Sequence, residues 1–140
     1  MESIGFEAEG VDIPKINQKK ISSWIKDISK VHNKNVGEIS YLFCDDKKIL
    51  EFNQKYLNHD FYTDIITFDY SEGDIISGDI IISLQTVESN SQIFKTDYME
   101  ELHRVIIHGI LHLCGLNDTT PEEEKMMHIA ENKALESLLL

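Results

Sequence analysis

The sequence predicts an α+β domain, a small mixed β-sheet of about four strands with helices packed on it, one of them a central metal-binding helix. Three observations carry that expectation. Apolar residues recur at helical spacing near both ends of the chain, period-two segments lie between them, and an apolar helical segment late in the chain holds two histidines four residues apart. At 140 residues, with no Pro/Gly/Ser linker, internal repeat or low-complexity tract, residues 1–140 form a single domain.

A first strand is expected around Ile4 to Ala8. From Pro14 to about His32, Ile21, Trp24, Ile25, Ile28 and Val31 recur at helical spacing, and Lys19, Lys26, Lys30 and Lys34 mark a solvated opposite face. Glu38 to Cys44 alternates Ile39, Tyr41 and Phe43 with smaller or polar residues, as a strand does. Asp45 to Leu57 reads as a helix, and Asp64 to Tyr70 and Gly78 to Leu84 as a hairpin turning through SEGD, Ser71 to Asp74. A weak helix from Leu84 to Phe94 follows. Asp97 and Glu100 then make a D-x-x-E capping box for a helix through HRVIIHGILHLC that ends at Gly115. Thr120, Pro121 and Glu123 supply cap, first-turn proline and capping-box acid for a last helix running to the C-terminus.

Composition excludes several classes. With 41% hydrophobic and 27% charged residues the chain is globular rather than disordered, and no apolar run is long enough for a membrane helix. The opening MESIGFEAEG has three Glu and no Lys or Arg, the reverse of a secretory signal. Two cysteines, Cys44 and Cys114, make no disulfide framework, so the expected home is the reducing cytoplasm. The net charge of −12 opposes non-specific attraction to nucleic acid. It is unevenly spread: Lys15 to Lys34 carries +5 and the remainder −17.

The chemistry lies in HGILHLCGLND, residues 108–118. His108 and His112 leave one helix face a turn apart, where a single cation can accept a nitrogen from each. The helix stops at Gly115 and the chain returns within three residues to Asp118, whose carboxylate completes a three-ligand set. Three protein ligands with a fourth position left for water describe a catalytic zinc site, although Ni, Fe or Mn suit the same donors. His103, five before His108, points elsewhere and at most supports the ligands from behind, and Cys114 is a small buried hydrophobe. Peptidases with H-E-x-x-H keep a general-base Glu after the first His, and here that position is Gly109. Glycine inside a helix costs about 1 kcal/mol relative to Ala, so the position needs space or a close backbone approach.

HGILHLCGLND resembles the HGxLHLxGYDH signature of the YbeY family, metal-dependent bacterial endoribonucleases of ribosomal RNA processing. FNQKYLNHDFYTDIITF resembles the family's N-x-x-Y-R...TDVLSF segment, SGDIIIS its GDI strand and PEEEKMMHIAENKAL its closing helix. The resemblance implies a zincin-like α+β fold, one zinc per chain on His108, His112 and Asp118, and cytoplasmic hydrolysis of single-stranded RNA in maturation of the small-subunit rRNA 3′ end and in ribosome quality control. It implies the ribosome or its proteins as partners, and it places Thr63 and Asp64 near the cleft. The family's third ligand is usually His where this chain has Asp118, the preceding Asp is Asn117, and the Arg after the Tyr is Leu57. Arg104, the only arginine and one turn before His108, is the candidate replacement for that cation, against a plainer pairing with Glu100 or Glu101. Met126 and Met127 are expected to fill the core beneath the site. Two other readings stay open: another metal-dependent hydrolase such as an amidase or peptidase, and a non-catalytic ribosome-associated module braced by its metal.

Overall fold

The computed structural model describes residues 3–57 and 63–139. Residues 58–62, in the middle of the FNQKYLNHDFYTDIITF segment, and Leu140, at the end of the expected last helix, lie outside the described residues. The order is β1 (Ser3–Ala8), α1 (Gln18–Val31), β2 (Asn35–Cys44), α2 (Asp46–Leu57), β3 (Ile65–Asp69), β4 (Ile75–Ser83), α3 (Leu84–Phe94), α4 (Tyr98–Leu113) and α5 (Pro121–Leu139). The sheet runs β1-β2-β4-β3, with β1 and β4 parallel to β2 and β3 antiparallel to β4. The β3–β4 hairpin turns at Gly73, whose φ of 58° is the left-handed conformation that SEGD anticipates.

One sheet face carries the main core. Ile39, Tyr41, Phe43, Ile80 and Ile82 are buried against Ile21, Trp24 and Ile25 of α1, Ile106 and Ile110 of α4 and Met127 of α5. Each such side chain is worth about 1.5–3 kcal/mol of burial. Two polar ties fix the layers: the Tyr41 hydroxyl donates to the Ile106 carbonyl at 2.8 Å, and Trp24 Nε1 donates to the Ala134 carbonyl at 2.8 Å. The opposite face buries a smaller group, Cys44, Ile49, Ile66 and Ile81, beneath α2. Both cysteines are free.

Helix ends correct two expectations. The first helix starts at Gln18 rather than near Pro14, because Asn17 Oδ1 accepts from the Lys20 amide at 3.1 Å. Asp97 is the N-cap of α4 but makes no side-chain cap bond, so that capping box does not form. Thr120 and Glu123 do form theirs: the Glu123 amide donates to Thr120 Oγ1 and the Thr120 amide to Glu123 Oε1, both at 3.1 Å. Met126 is exposed while Met127 is buried, since neighbours on a helix point about 100° apart and only one faces the core.

Gly109 seats α4 on the sheet. A Cβ there would lie 3.0 Å from Ile80 Cδ1 and 3.2 Å from Ile65 Cδ1, so the close approach expected of this glycine is to β3 and β4. That contact fixes the height of the adjoining histidines above the edge strand β3.

Candidate metal centre

His108 and His112 stand in the last two turns of α4, and the way that helix ends delivers the third side chain. The Leu116 amide donates to the Leu111 carbonyl and the Gly115 amide to the His112 carbonyl, both at 3.0 Å, the paired bonds of a Schellman motif. Gly115 has φ 104°, a conformation that side chains resist. The reversal brings Asp118 Oδ2 to 3.3 Å from His108 Nε2 and 3.4 Å from His112 Nε2. Around a tetrahedral ion with bonds of about 2.0–2.1 Å, donors stand roughly 3.3–3.4 Å apart. Both distances to Asp118 are therefore those of donors sharing one ion, and all three ligand atoms lie within 4.8 Å of one another.

Hydrogen bonds set the ring tautomers to the same end. His108 Nδ1–H donates to Glu131 Oε2 at 2.6 Å, and His112 Nδ1–H donates to the Leu116 carbonyl at 2.9 Å. Acceptors at both Nδ1 positions place the protons there and leave each Nε2 lone pair facing Asp118. Burial alone would lower the His108 pKa, but the hydrogen bond and charge of Glu131, with Asp118 and Asp64, hold it above the ordinary value. Glu131 is the mirror image: burial would raise its carboxyl, yet His108 and Arg104 hold it below the usual range.

Glu131 is the residue that sequence reasoning missed. Its signal is positional, because it follows buried Met127 by four residues and precedes buried Ala134 and Leu135, which puts a carboxylate on the core-facing stripe of α5. Arg104 is committed to it: Nη1 donates to Glu131 Oε1 at 3.0 Å and Nη2 to Asn132 Oδ1 at 2.9 Å, and neither Glu100 nor Glu101 is the partner.

Two cavities meet at His108 and Asp118, one of about 500 Å3 along β3 and α2 and one of about 770 Å3 between the end of α3, α4 and α5. His108, Asp118 and Asp64 line both, and Thr63 and Leu57 line the smaller. Burial pushes the Asp64 carboxyl upward, partly opposed by His108. Among the described residues the smaller cavity is lined by no Lys or Arg, and Leu57 offers it an apolar side chain. His103 does not belong to this cleft. It lies edge-on to Trp24 at 6.2 Å between ring centroids, among Lys20, Met99 and Leu138. Cys114 is half-buried against the core.

The family model described as Endoribonuclease YbeY matches residues 5–139. The chain belongs to the YbeY family. Endoribonuclease YbeY of Phocaeicola vulgatus is 60% identical over 132 residues, spanning 94% of this chain and 96% of that protein. Endoribonuclease YbeY of Parabacteroides distasonis is 57% identical over 133 residues, spanning 95% and 94%. The solution structure of TM1509 from Thermotoga maritima superposes with a TM-score of 0.69 at 28% identity, covering 97% of this chain and 89% of that one. YbeY membership and the cluster of His108, His112 and Asp118, with ligand atoms within 4.8 Å of one another, together fit a metal cofactor.

Proposed function

We propose that this chain is a metal-dependent endoribonuclease that hydrolyses single-stranded RNA in rRNA maturation, at the 3′ end of the small-subunit rRNA, and in ribosome quality control. One zinc per chain is held by His108, His112 and Asp118. The observation that carries the reading is the convergence of two imidazole nitrogens and a carboxylate oxygen at 3.3 and 3.4 Å, with both opposite ring nitrogens already bonded. Its relatives' shared name, Endoribonuclease YbeY, supplies the substrate class.

When bound, zinc supplies Lewis acidity toward a phosphoryl oxygen and lowers the pKa of water. The chain's own residues do the positioning. Glu131 and the Leu116 carbonyl hold the two rings in the tautomer that presents Nε2. Arg104 holds Glu131 in turn, so it acts as a positioning residue through that carboxylate. Asp64 forms a wall common to both cavities, Thr63 lines the smaller one, and Asn53 and Asn117 give the smaller cavity neutral polar groups. No carboxylate follows the first histidine, because Gly109 packs on Ile80 and Ile65 there, which disfavours peptide hydrolysis.

An acidic chain whose smaller cleft has no cation among its described residues draws little on bulk attraction to RNA. Specificity then comes from docking on the ribosome or its proteins in the cytoplasm. No helix among the described residues is long and apolar enough to cross a membrane. The test is elemental analysis of protein purified without a metal-affinity tag, together with cleavage of single-stranded and duplex RNA. Stoichiometric zinc and single-strand cleavage abolished in Asp118→Ala are expected; metal-replete protein that leaves every single-stranded RNA intact would overturn the reading. Product ends identify the nucleophile, since a cyclic phosphate reports the 2′-hydroxyl and a 5′-phosphate reports water.

A further inference from the structure

Two of the candidate metal ligands, His108 and Asp118, have space on both sides. His108, Asp64 and Asp118 line both cavities, so a polynucleotide crossing them enters the two in turn. The larger, about 770 Å3, falls within the roughly 300–1,000 Å3 typical of small-ligand sites. Phe94 and Val105 give it apolar walls, and Glu101 and Asp64 give it carboxylates.

Glu101 is the anomaly in this cavity. It is 6% exposed, and its side-chain carboxylate makes no hydrogen bond or ion pair among the described residues. Burial raises its carboxyl above the ordinary value, and the pull of Arg104 only partly opposes this, with Asp64 and Glu131 adding to it. Arg104 is not free to bond it, being engaged by Glu131 and Asn132. No side-chain nitrogen or oxygen among the described residues is both fully buried and unpartnered, so the Glu101 oxygens open onto this cavity, where a donor on a ligand can reach them. Phe94, at the end of α3, is 63% exposed on the same cavity.

These walls suit a nucleobase better than a phosphate. The carboxylates repel an anion, and the arginine in the lining is already paired. A base has flat apolar faces to stack on Phe94 and edge N–H groups for Glu101. Guanine sets two donors, N1–H and the N2 amino group, side by side on its Watson–Crick edge, matching the two oxygens of one carboxylate. Adenine and cytosine place their amino group beside an acceptor, and uracil sets its N–H between two carbonyls.

We propose that the larger cavity is a nucleobase subsite that selects a guanine flanking the scissile phosphate, with Glu101 as the specificity residue and Phe94 as the stacking wall. The proposal rests on the endoribonuclease reading for its substrate, and the test separates the two. Fluorescein-labelled hexanucleotide RNAs, uridine throughout except for guanosine or inosine at one scanned position, are titrated by anisotropy against zinc-loaded protein and assayed for cleavage. Inosine lacks the N2 amino group.

At one position guanosine binds about tenfold tighter than inosine, as expected for a bidentate base contact. Glu101→Gln, which keeps the shape but replaces one acceptor with a donor, abolishes that ratio and leaves the affinity for all-uridine RNA unchanged. Phe94→Ala, at an exposed position, weakens guanosine and inosine RNAs alike by about tenfold and keeps the ratio. Wild-type protein that binds guanosine and inosine equally at every position overturns the subsite, as does a folded Glu101→Gln that retains the ratio. Should Glu101→Gln fail to fold, the wild-type scan and Phe94→Ala decide the matter. Cleavage without discrimination removes the subsite and spares the nuclease. Discrimination by zinc-loaded protein that never cleaves removes the nuclease and spares the subsite.

Discussion

Replacing Glu131 by Gln tests whether the metal centre depends on a residue that touches no metal. The carboxylate is 9% exposed and serves two partners, His108 Nδ1 at 2.6 Å and Arg104 at 3.0 Å. Gln keeps the volume and one acceptor but has no charge, so the short ionic bond to His108 becomes a neutral one and Arg104 retains Asn132 as its polar partner. Loss of an outer carboxylate behind a metal-binding histidine weakens metal affinity by about 10–100-fold, or roughly 1.4–2.8 kcal/mol. Because a neutral acceptor remains, the metal-free fold should lose only about 1–3 kcal/mol, below the roughly 3–5 kcal/mol expected when Glu131→Ala strands a buried cation. Zinc affinity is read by competition with a chromophoric chelator, and fold stability by urea unfolding in excess chelator. A Glu131→Gln protein that unfolds at the wild-type urea midpoint and holds zinc within twofold of wild type would show that Glu131 does not orient His108.

The remaining predictions address the turn, the third ligand and two buried groups. Gly115→Ala forces a side chain into φ 104°, so it should cost about 1–2 kcal/mol in urea unfolding and weaken zinc affinity, since the same turn aims Asp118. Asp118→Ala should lose zinc by elemental analysis while shifting metal-free stability by less than about 0.5 kcal/mol, because that side chain is 38% exposed. Burial lowers the His103 pKa from 6.5, so the native state takes up its proton less readily than the unfolded chain. Stability from this group is complete above pH 6.5 and declines as the pH falls toward the lowered value; His103→Gln should flatten that part of the stability–pH curve, and an unchanged slope would contradict it. Burial pushes the Cys44 thiol up to about 12, so native protein at pH 8 should leave Cys44 unlabelled by a maleimide that modifies it at once in urea.

The elements were legible where one physical signal dominated. Alternation at Ile39, Tyr41 and Phe43 marked a half-buried strand, and the left-handed residues Gly73 and Gly115 marked a hairpin and a helix end. The Thr120–Glu123 box formed as its spacing implied, whereas Asp97 had the right spacing and no bond, because cap chemistry depends on a side-chain rotamer that spacing does not determine. The candidate ligands were readable because His108, His112 and Asp118 lie within eleven residues on one helix and its reversal. Glu131 was not, because its partner is 23 residues away and its identity emerges only when α5 packs across α4. Arg104 was placed on the correct face but given the wrong partner for the same reason: local spacing offered Glu100 and Glu101, and tertiary packing supplied Glu131 and Asn132.

Charge explains why that pairing matters. In a chain of net charge −12 whose single arginine pairs with a buried carboxylate, Leu57 follows Tyr56 and lines the smaller cavity, and no Lys or Arg lines that cavity among the described residues. Freeing Arg104 to meet a phosphate would leave Glu131 buried with less compensation and loosen its hold on His108, so the phosphate contact and metal binding would compete for one guanidinium. With a carboxylate as the third candidate ligand, a divalent ion held by His108, His112 and Asp118 would keep a net charge of about +1 with which to attract a phosphate. The site therefore binds its substrate weakly through charge and must gain its selectivity from base contacts and from docking elsewhere, a combination under which added salt should change cleavage of short RNAs far less than it does for a basic nuclease.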